Sequence, residues 1–551
     1  MSADAARRAW RRGVCALLVV LVVGVPWGWG PGVAGAAAQG FVPISGSGST
    51  WSSNALDQWR RNVNSLYGIT VNFAANGSTS GRNDFRAGQV DFAVSEIPYG
   101  LRDGGVLDPP PTRAFGYMPI VAGGTSFMYN LKIGTRRVTN LRLSGDTITK
   151  IFTQQITTWS DPAIAADNPG LTLPARKIVP VVRSDGSGTT AQFTAWMANQ
   201  YPNLWDEYCH RAGRTLSPCG FTSFYPLAPG MIAKAQSQGV AGFVAQDSSE
   251  GAITYVEYSY ARNAGFPVVK VLNKANYYIE PKATSVAVAL LAARINPDLT
   301  QELSGVYTNP DPRAYPLSSY SYMILPKDTS ANFTPDKGRT LSEFASYFLC
   351  EGQQQADALG YSPLPINLVQ AGIDQINQIP GATKKLDRTT LQRCHNPTVS
   401  PDGTNLLATN APQPDPCDHK GLTQCTTSTG GTTHTTTPTT SNGSGTAAGT
   451  GPGDPTTPTG GGADPTTLAA GAAAAAGIDP DTGQPLGSGT LTTTSGATGT
   501  PSALPVTLDA TTHRRQTLLA ALAGLLLAAL ILGPPLLART LHTRHTPGPP
   551  A

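Results

Sequence analysis

The 551 residues contain no Gly-Lys dipeptide, which excludes the phosphate-cradling loop GxxxxGK[ST], and no HExxH, the helical motif of zinc hydrolases. Histidine is scarce. Of seven in the chain, only His210 and His395 fall between residues 41 and 397, and each adjoins a cysteine, so Ser-His-Asp catalysis is poorly supplied. The nearest approach to a metal-ligand set, Cys394 and His395 with Cys417 and His419, lacks any usual ligand spacing. Charge imbalance is lacking as well: 39 Lys and Arg against 35 Asp and Glu leave a formal +4, too little to argue for a nucleic-acid partner. Together these absences favour binding over chemistry.

Aromatic residues all but vanish between residues 398 and 512, where Thr, Gly, Pro, Ala and Ser dominate. Such a composition cannot bury enough apolar surface to offset the entropy of ordering, and this stretch is expected to be a disordered linker. The N-terminus carries Arg7, Arg8, Arg11 and Arg12, then an apolar run at residues 14–25, then small residues ending at Ala38. That is the layout of an export signal covering residues 1–38. Residues 517–538 (TLLAALAGLLLAALILGPPLLA) are long and apolar enough to cross a bilayer as a helix. Arg539, His542, Arg544 and His545 follow it and favour a cytoplasmic tail at 539–551, although Arg514 and Arg515 on the other side weaken that vote. The sorting-signal-like LPVTL at 504–508 has Leu508 where glycine is required, so a retained membrane anchor is preferred. Six cysteines remain after signal removal, an even number that argues for disulfides outside the membrane. Of fifteen pairings, neighbours in sequence are expected to join: Cys209 to Cys219, Cys350 to Cys394 and Cys417 to Cys425.

Between residues 41 and 397 short apolar runs alternate with helical patterns, as in an α/β protein. Strands are predicted at 69–74, 90–95, 114–121, 126–130, 178–183, 252–256 and 321–325, and helices at 54–67, 190–200 and 341–349. Three helices share one kind of entrance: SGSGST at 45–50, GSTSG at 77–81 before a helix at 83–87, and DGSGT at 185–189. A helix N-terminus leaves backbone N–H groups unpaired and carries partial positive charge; glycine permits close approach and hydroxyls add donors. Capping and turning explain any one such segment alone. Three of them, one with Arg183 two residues ahead, suit an oxyanion, because a guanidinium fork can address two oxygens of one anion.

In order and spacing, residues 41–382 resemble the phosphate-specific substrate-binding proteins of ABC importers. The motifs that carry the resemblance are SGSGSTWSSNALDQW from Ser45, NFAANGSTSG from Asn72, VDFAVSEIP from Val90, ITKIFTQQITTWSDPAIAADNPG from Ile148, VVRSDGSGTTAQFTAW from Val181 and GAITYVEYSYA from Gly251. YPLSSYSYMILPKD from Tyr315 and LGYSPLP from Leu359 add to it. The resemblance implies a two-lobed periplasmic-binding-protein fold of type II with two crossovers. Lobe one would span 41–120 and 317–397, lobe two 121–316, and an anion would lie between them in a domain covering residues 39–397. It places the anion's ligands on Thr50, Trp51 through its backbone N–H, Ser78, Arg183, Ser187, Gly188 and Thr189, with Asp185 steadying the arginine. Where the family commonly has an aspartate that accepts a hydrogen bond from protonated phosphate, this chain has Glu96, which keeps the charge and adds a methylene. A carboxylate there welcomes an anion that still carries a proton and repels sulfate.

The resemblance, taken with the apolar segment at 517–538, leads us to expect a monomeric, extracytoplasmic phosphate-binding protein, tethered by that C-terminal helix and delivering phosphate to an ABC permease, with no enzymatic activity, cofactor or metal. The same scaffold without a transport partner would be a surface oxyanion scavenger, sensor or adhesive protein.

Overall fold

A computed structural model describes residues 40–383, 394–400 and 403–432. The expected signal at 1–38, the greater part of the expected linker, the expected membrane helix at 517–538 and the tail lie outside the described residues. Among the described residues no helix is long and apolar enough to cross a membrane.

The predicted alternation of strands and helices folds into one eight-stranded mixed sheet. Its strands are β1 (Ile44–Gly48), β2 (Val71–Ala74), β3 (Phe92–Ser95), β4 (Phe115–Tyr129), β5 (Val179–Arg183), β6 (Ile232–Lys234), β7 (Ala252–Glu257) and β8 (Ser318–Pro326). Their spatial order is β6-β5-β7-β4-β8-β3-β1-β2. At one end β1 runs parallel to β2 and β3, and at the other β5 runs parallel to β6 and β7. The centre is antiparallel. There the long β4 pairs with β8 through residues 115–124 and with β7 through residues 125–129.

The sheet therefore serves a hydrophobic core at each end, and at the β5–β7 end a smaller separate cluster also gathers Met128, Val181, Val240 and Val256. The first gathers Ile44, Trp59, Phe92, Met118, Tyr322 and Phe344, and the second Phe127, Trp159, Phe193, Trp205 and Tyr255. We call these ends lobe one and lobe two. In lobe one α1 (Ser53–Tyr67) buries Leu56, Trp59 and Val63, at the helical spacing visible in the sequence, and stacks Trp59 on Phe348 of the helix Pro335–Leu349.

Two expected boundaries are corrected. The resemblance carries lobe two as far as Pro316, yet Val286, Val288, Leu290, Leu303, Val306 and Ala314 belong to the first core. The chain returns to lobe one between Ile279 and Val286 and only dips back at Tyr315 and Leu317. The polar stretch expected to be linker from residue 398 is folded as far as Thr432, apart from two undescribed residues.

This last segment is a strap over both lobes. On lobe one Asn396 Nδ2 and Thr398 Oγ1 donate to Leu364 O, 3.0 and 2.8 Å, and Arg313 Nη1 donates to the carbonyls of Ala408 and Ala411, 3.1 and 3.2 Å. On lobe two Asp418 accepts from buried Arg142 Nη2 at 2.9 Å and from Lys270 Nζ at 2.6 Å. Thr429 N then donates to Thr139 O at 2.9 Å, and Gly431 N to Phe266 O at 3.2 Å. Composition misses the strap because it is held by polar contacts and disulfides rather than by apolar burial. The three disulfides form in the expected pairing: Cys209–Cys219, Cys350–Cys394 and Cys417–Cys425.

Candidate functional site

The parallel strands β1, β3 and β5 all end toward the junction of the lobes, and the loops that follow them hold the expected site residues. Ligands in open α/β sheets characteristically sit beyond the carboxyl ends of the strands. In lobe one β1 leads through Ser49 and Thr50 into α1, and α2 (Ser78–Arg86) begins at Ser78, several residues earlier than the helix read at 83–87. A Cβ on Gly81 would stand 2.3 Å from the Gly48 Cα, so the SGSG strand and α2 meet backbone to backbone. In lobe two β5 ends at Arg183, and α3 (Gly188–Gln200) opens after it with Ser187 as its N-cap, the Ser187 hydroxyl accepting from Thr190 N at 3.1 Å.

These loops touch across the cleft. Ser78 Oγ donates to Glu96 Oε2 at 2.8 Å and accepts from Gly188 N at 3.1 Å. Thr79 N donates to Gly186 O at 3.2 Å, and Gln192 Nε2 donates to Glu96 O at 2.8 Å. A Cβ on Gly188 would lie only 1.9 Å from Glu96 Oε2, which explains why that position carries glycine. On the other side of the site Thr50 Oγ1 lies 2.8 Å from Ser237 Oγ, which in turn accepts from Arg183 Nη1 at 3.3 Å.

Arg183 is 2% exposed. Its Nε donates to Asp185 Oδ1 at 2.7 Å and its Nη2 to Asp185 Oδ2, while Gln236 N donates to Asp185 Oδ1 at 2.9 Å. Burial pushes the Asp185 carboxyl up, but the hydrogen bonds and charge of Arg183, with the Gln236 N–H, outweigh it and hold the group below its ordinary value. Because the Nε–Nη2 edge of the fork faces Asp185, only the Nη1–Nη2 edge is left for a ligand.

Glu96 is 1% exposed, with its second oxygen accepting from Ser321 Oγ at 2.8 Å. Burial raises its pKa; the hydroxyls of Ser49, Ser78 and Ser321 and the charge of Arg183 oppose that rise without cancelling it. Ser321 stands where the β4–β8 register slips by one residue, a bulge of the kind that re-aims a side chain. Thr189, in the first turn of α3, has a buried hydroxyl without a hydrogen-bond partner.

A second buried carboxyl lies behind the site. Glu257 ends β7; its Oε2 accepts from Ser259 N at 2.8 Å and from Ser259 Oγ, while its Oε1 is unpaired. A Cβ on Gly123 in β4 would meet both the Trp51 ring, at 2.7 Å, and Glu257 Oε1, at 3.3 Å, so these groups pack together where β4 passes between the lobes. Burial drives the Glu257 carboxyl well above its ordinary range, opposed by bonds from Ser259 and Tyr361.

The structure thus gathers Thr50, Ser78, Glu96, Arg183, Asp185, Ser187, Gly188 and Thr189 at the junction of the lobes. Trp51 differs from the expectation: it is fully buried there, but its N–H donates to Ser49 Oγ at 2.9 Å. Sequence reading misses Ser237, in the first turn of the helix Gln236–Val244. A signal exists, since that helix follows β6 as α3 follows β5, and the parallel register sets Lys234 beside Arg183. Asp415, Cys417 and Cys425 cluster at metal-binding distance, but both cysteines are joined in a disulfide.

Residues 31–351 match the model of the family described as PBP superfamily domain. The chain is 32% identical over 331 residues to the phosphate-binding protein PstS of Xylella fastidiosa, a match that covers 60% of this chain and 83% of that protein. It is 27% identical over 347 residues to the phosphate-binding protein PstS 3 of Mycobacterium leprae, covering 61% and 86%. A solved phosphate-binding protein from Stenotrophomonas maltophilia superposes with a TM-score of 0.45 at 17% identity, over 66% of this chain and 99% of that one, too slight a likeness to carry an argument. On the strength of the family match over more than half its length and of relatives aligned over most of theirs, this chain belongs to the PBP superfamily and, within it, to the phosphate-specific substrate-binding proteins of ABC importers.

Proposed function

We propose that the protein binds inorganic phosphate between its lobes, outside the cytoplasm, and delivers it to the permease of an ABC importer. One observation carries this reading: a buried guanidinium, held by Asp185, stands beside helix N-termini contributed by both lobes, where Thr189 keeps a buried, unpaired hydroxyl. Unpaired N–H groups, helix dipoles and a fixed positive charge are complementary to a small oxyanion. The residues that would hold it are Thr50, Ser78, Ser187, Gly188, Thr189 and the Nη1–Nη2 edge of Arg183. Trp51 would join them if its N–H turned from Ser49 to the anion on binding. No nucleophile–base pair is assembled by these residues, and binding without chemistry is the simplest account of them. The 517–538 helix would tether a monomeric domain to the membrane.

Glu96 would set the selectivity. Its carboxylate can accept a hydrogen bond from the proton that phosphate retains at neutral pH, whereas sulfate has no such donor and would meet an uncompensated negative charge. Because burial raises the Glu96 pKa, acidification protonates it early and converts it from acceptor to donor. Calorimetric titration of the full chain with phosphate, sulfate and arsenate tests both parts. Phosphate should bind at neutral pH with sulfate excluded, and sulfate should begin to compete in Glu96→Gln and in the wild type at low pH. A folded wild type that binds no phosphate sinks the reading. Retention of high-affinity phosphate uptake after deletion of the gene would instead favour a scavenger or sensor over a transport component.

A further inference from the structure

A short hairpin in lobe one reaches across the cleft. Its strands, Arg102–Asp103 and Val106–Leu107, pair antiparallel around Gly104 and Gly105, whose φ values of 56° and 89° are the left-handed ones a two-residue hairpin turn requires. The base is fixed to lobe one. Asp108 closes it by backbone bonds with Gly100 and Leu101, and its carboxylate accepts from Arg82 Nε and Arg86 Nη1, both at 2.6 Å. Arg82 is buried in α2, the helix that begins at Ser78.

The tip is fixed to lobe two. Asp103 Oδ1 accepts from Ser223 N at 2.7 Å, Asp103 Oδ2 accepts from Ser223 Oγ, and Gly104 N donates to Phe221 O at 3.0 Å. Ser223 is fully buried and is itself part of the cleft wall: its carbonyl accepts from Ser187 N at 3.0 Å, and its hydroxyl lies 3.0 Å from Thr79 Oγ1. One end of the hairpin is thus tied to the helix that presents Ser78 and the other to the residue that braces the start of α3.

We propose that this hairpin is a latch, docked on lobe two only when the cleft is closed, and that Asp103 is a positioning residue that sets how long the anion stays bound. The inference rests on the reading that phosphate occupies the cleft. Its physical basis is that lobe opening must break both acceptor contacts of Asp103, to Ser223 N and to Ser223 Oγ, and expose two polar groups that face each other in the closed state. Encounter of the anion with the open cleft needs none of these bonds. Their loss should therefore appear in the dissociation rate and not in the association rate.

The test is stopped-flow measurement of phosphate binding and release by the full chain, as wild type, Asp103→Asn, Asp103→Ala and Ser223→Ala. Loss of charged hydrogen bonds predicts a dissociation rate about 10- to 100-fold faster in Asp103→Ala, with association changed by less than about threefold. Asp103→Asn, whose carbonyl still accepts from Ser223 N, should fall between it and the wild type, and Ser223→Ala should shift the same way from the opposite lobe. A purely structural role would instead lower the unfolding midpoint without separating the two rates. An unchanged dissociation rate in Asp103→Ala overturns the latch. Failure of the wild type to bind phosphate overturns the binding reading separately. Closure is then followed without ligand, by energy transfer between a fluorophore on each lobe, and the latch falls if Asp103→Ala leaves that distance unchanged.

Discussion

Replacing Gly188 by alanine separates ligand affinity from folding. The new methyl would lie 1.9 Å from Glu96 Oε2 and 2.5 Å from Ser78 Oγ, far inside the 3.4 Å at which ordinary contact begins. Glu96 cannot simply swing away, because it is buried and both its oxygens accept hydrogen bonds, from Ser78 and Ser321. Gly188 starts a lobe-two helix whereas Glu96 and Ser78 belong to lobe one, so the collision is with the closed arrangement and not with either hydrophobic core. Relieving it means giving up the Gly188 N to Ser78 contact and weakening the Ser78 to Glu96 contact. One neutral and one charged hydrogen bond together amount to about 3 kcal/mol, which corresponds to phosphate affinity about 100-fold weaker. Calorimetric titration reads that loss. Denaturant unfolding of the ligand-free chain should move by less than this, because opening of the lobes relieves the collision without disturbing the packing within them. Affinity within threefold of the wild type would show that phosphate binding does not bring Gly188 against Glu96.

Two further expectations concern stability. Glu257 has a raised pKa, so the folded chain holds a proton that the unfolded chain releases near its ordinary value of 4.5, and stability is lost as pH rises through the folded value. Denaturation at pH 5 and pH 8 should show Glu257→Gln losing less stability over that interval, by about 1.4 kcal/mol for every tenfold by which folding tightens the carboxyl's hold on its proton. A wild-type-to-variant difference that is constant with pH refutes this. Asp418 pairs with Arg142, whose side chain is fully buried, and with Lys270. Asp418→Asn should cost about 3 kcal/mol, because two cations lose their counter-charge, and a chain ended at residue 397 should be destabilised for the same reason. Unfolding midpoints equal to that of the full chain would refute the role given to the strap.

Much of the fold is legible in the sequence because strand and helix periodicity survives in the folded chain; α1, for example, occupies Ser53–Tyr67 where the spacing predicts a helix over 54–67. The central strand reads as two pieces because Gly123 and Gly124 look like a break. They lie inside β4, and each is small because another group occupies its side-chain space: the Trp51 ring at Gly123 and Pro281 at Gly124. Arg183, Asp185 and the helix entrances are legible because their chemistry is local. Ser237 and Asp103 are not, since each acts through a partner far away in sequence, Thr50 for one and Ser223 for the other. The strap escapes for a related reason. Composition reports apolar burial, and what holds Asp418 and Thr429 in place is charge and backbone pairing.

The strap also settles which half of the domain can act as a fixed base. The last described residues are bound to lobe two, through the Cys417–Cys425 loop, Asp418 and the Gly431 contact with Phe266. A pull applied to the chain beyond Thr432 is therefore borne first by lobe two, and the sheet and its cleft lie downstream of that load. If the chain is held from its C-terminal side, as the proposed tether would have it, lobe two would be the fixed part and lobe one, with the 102–107 hairpin at its edge, the part left free to move.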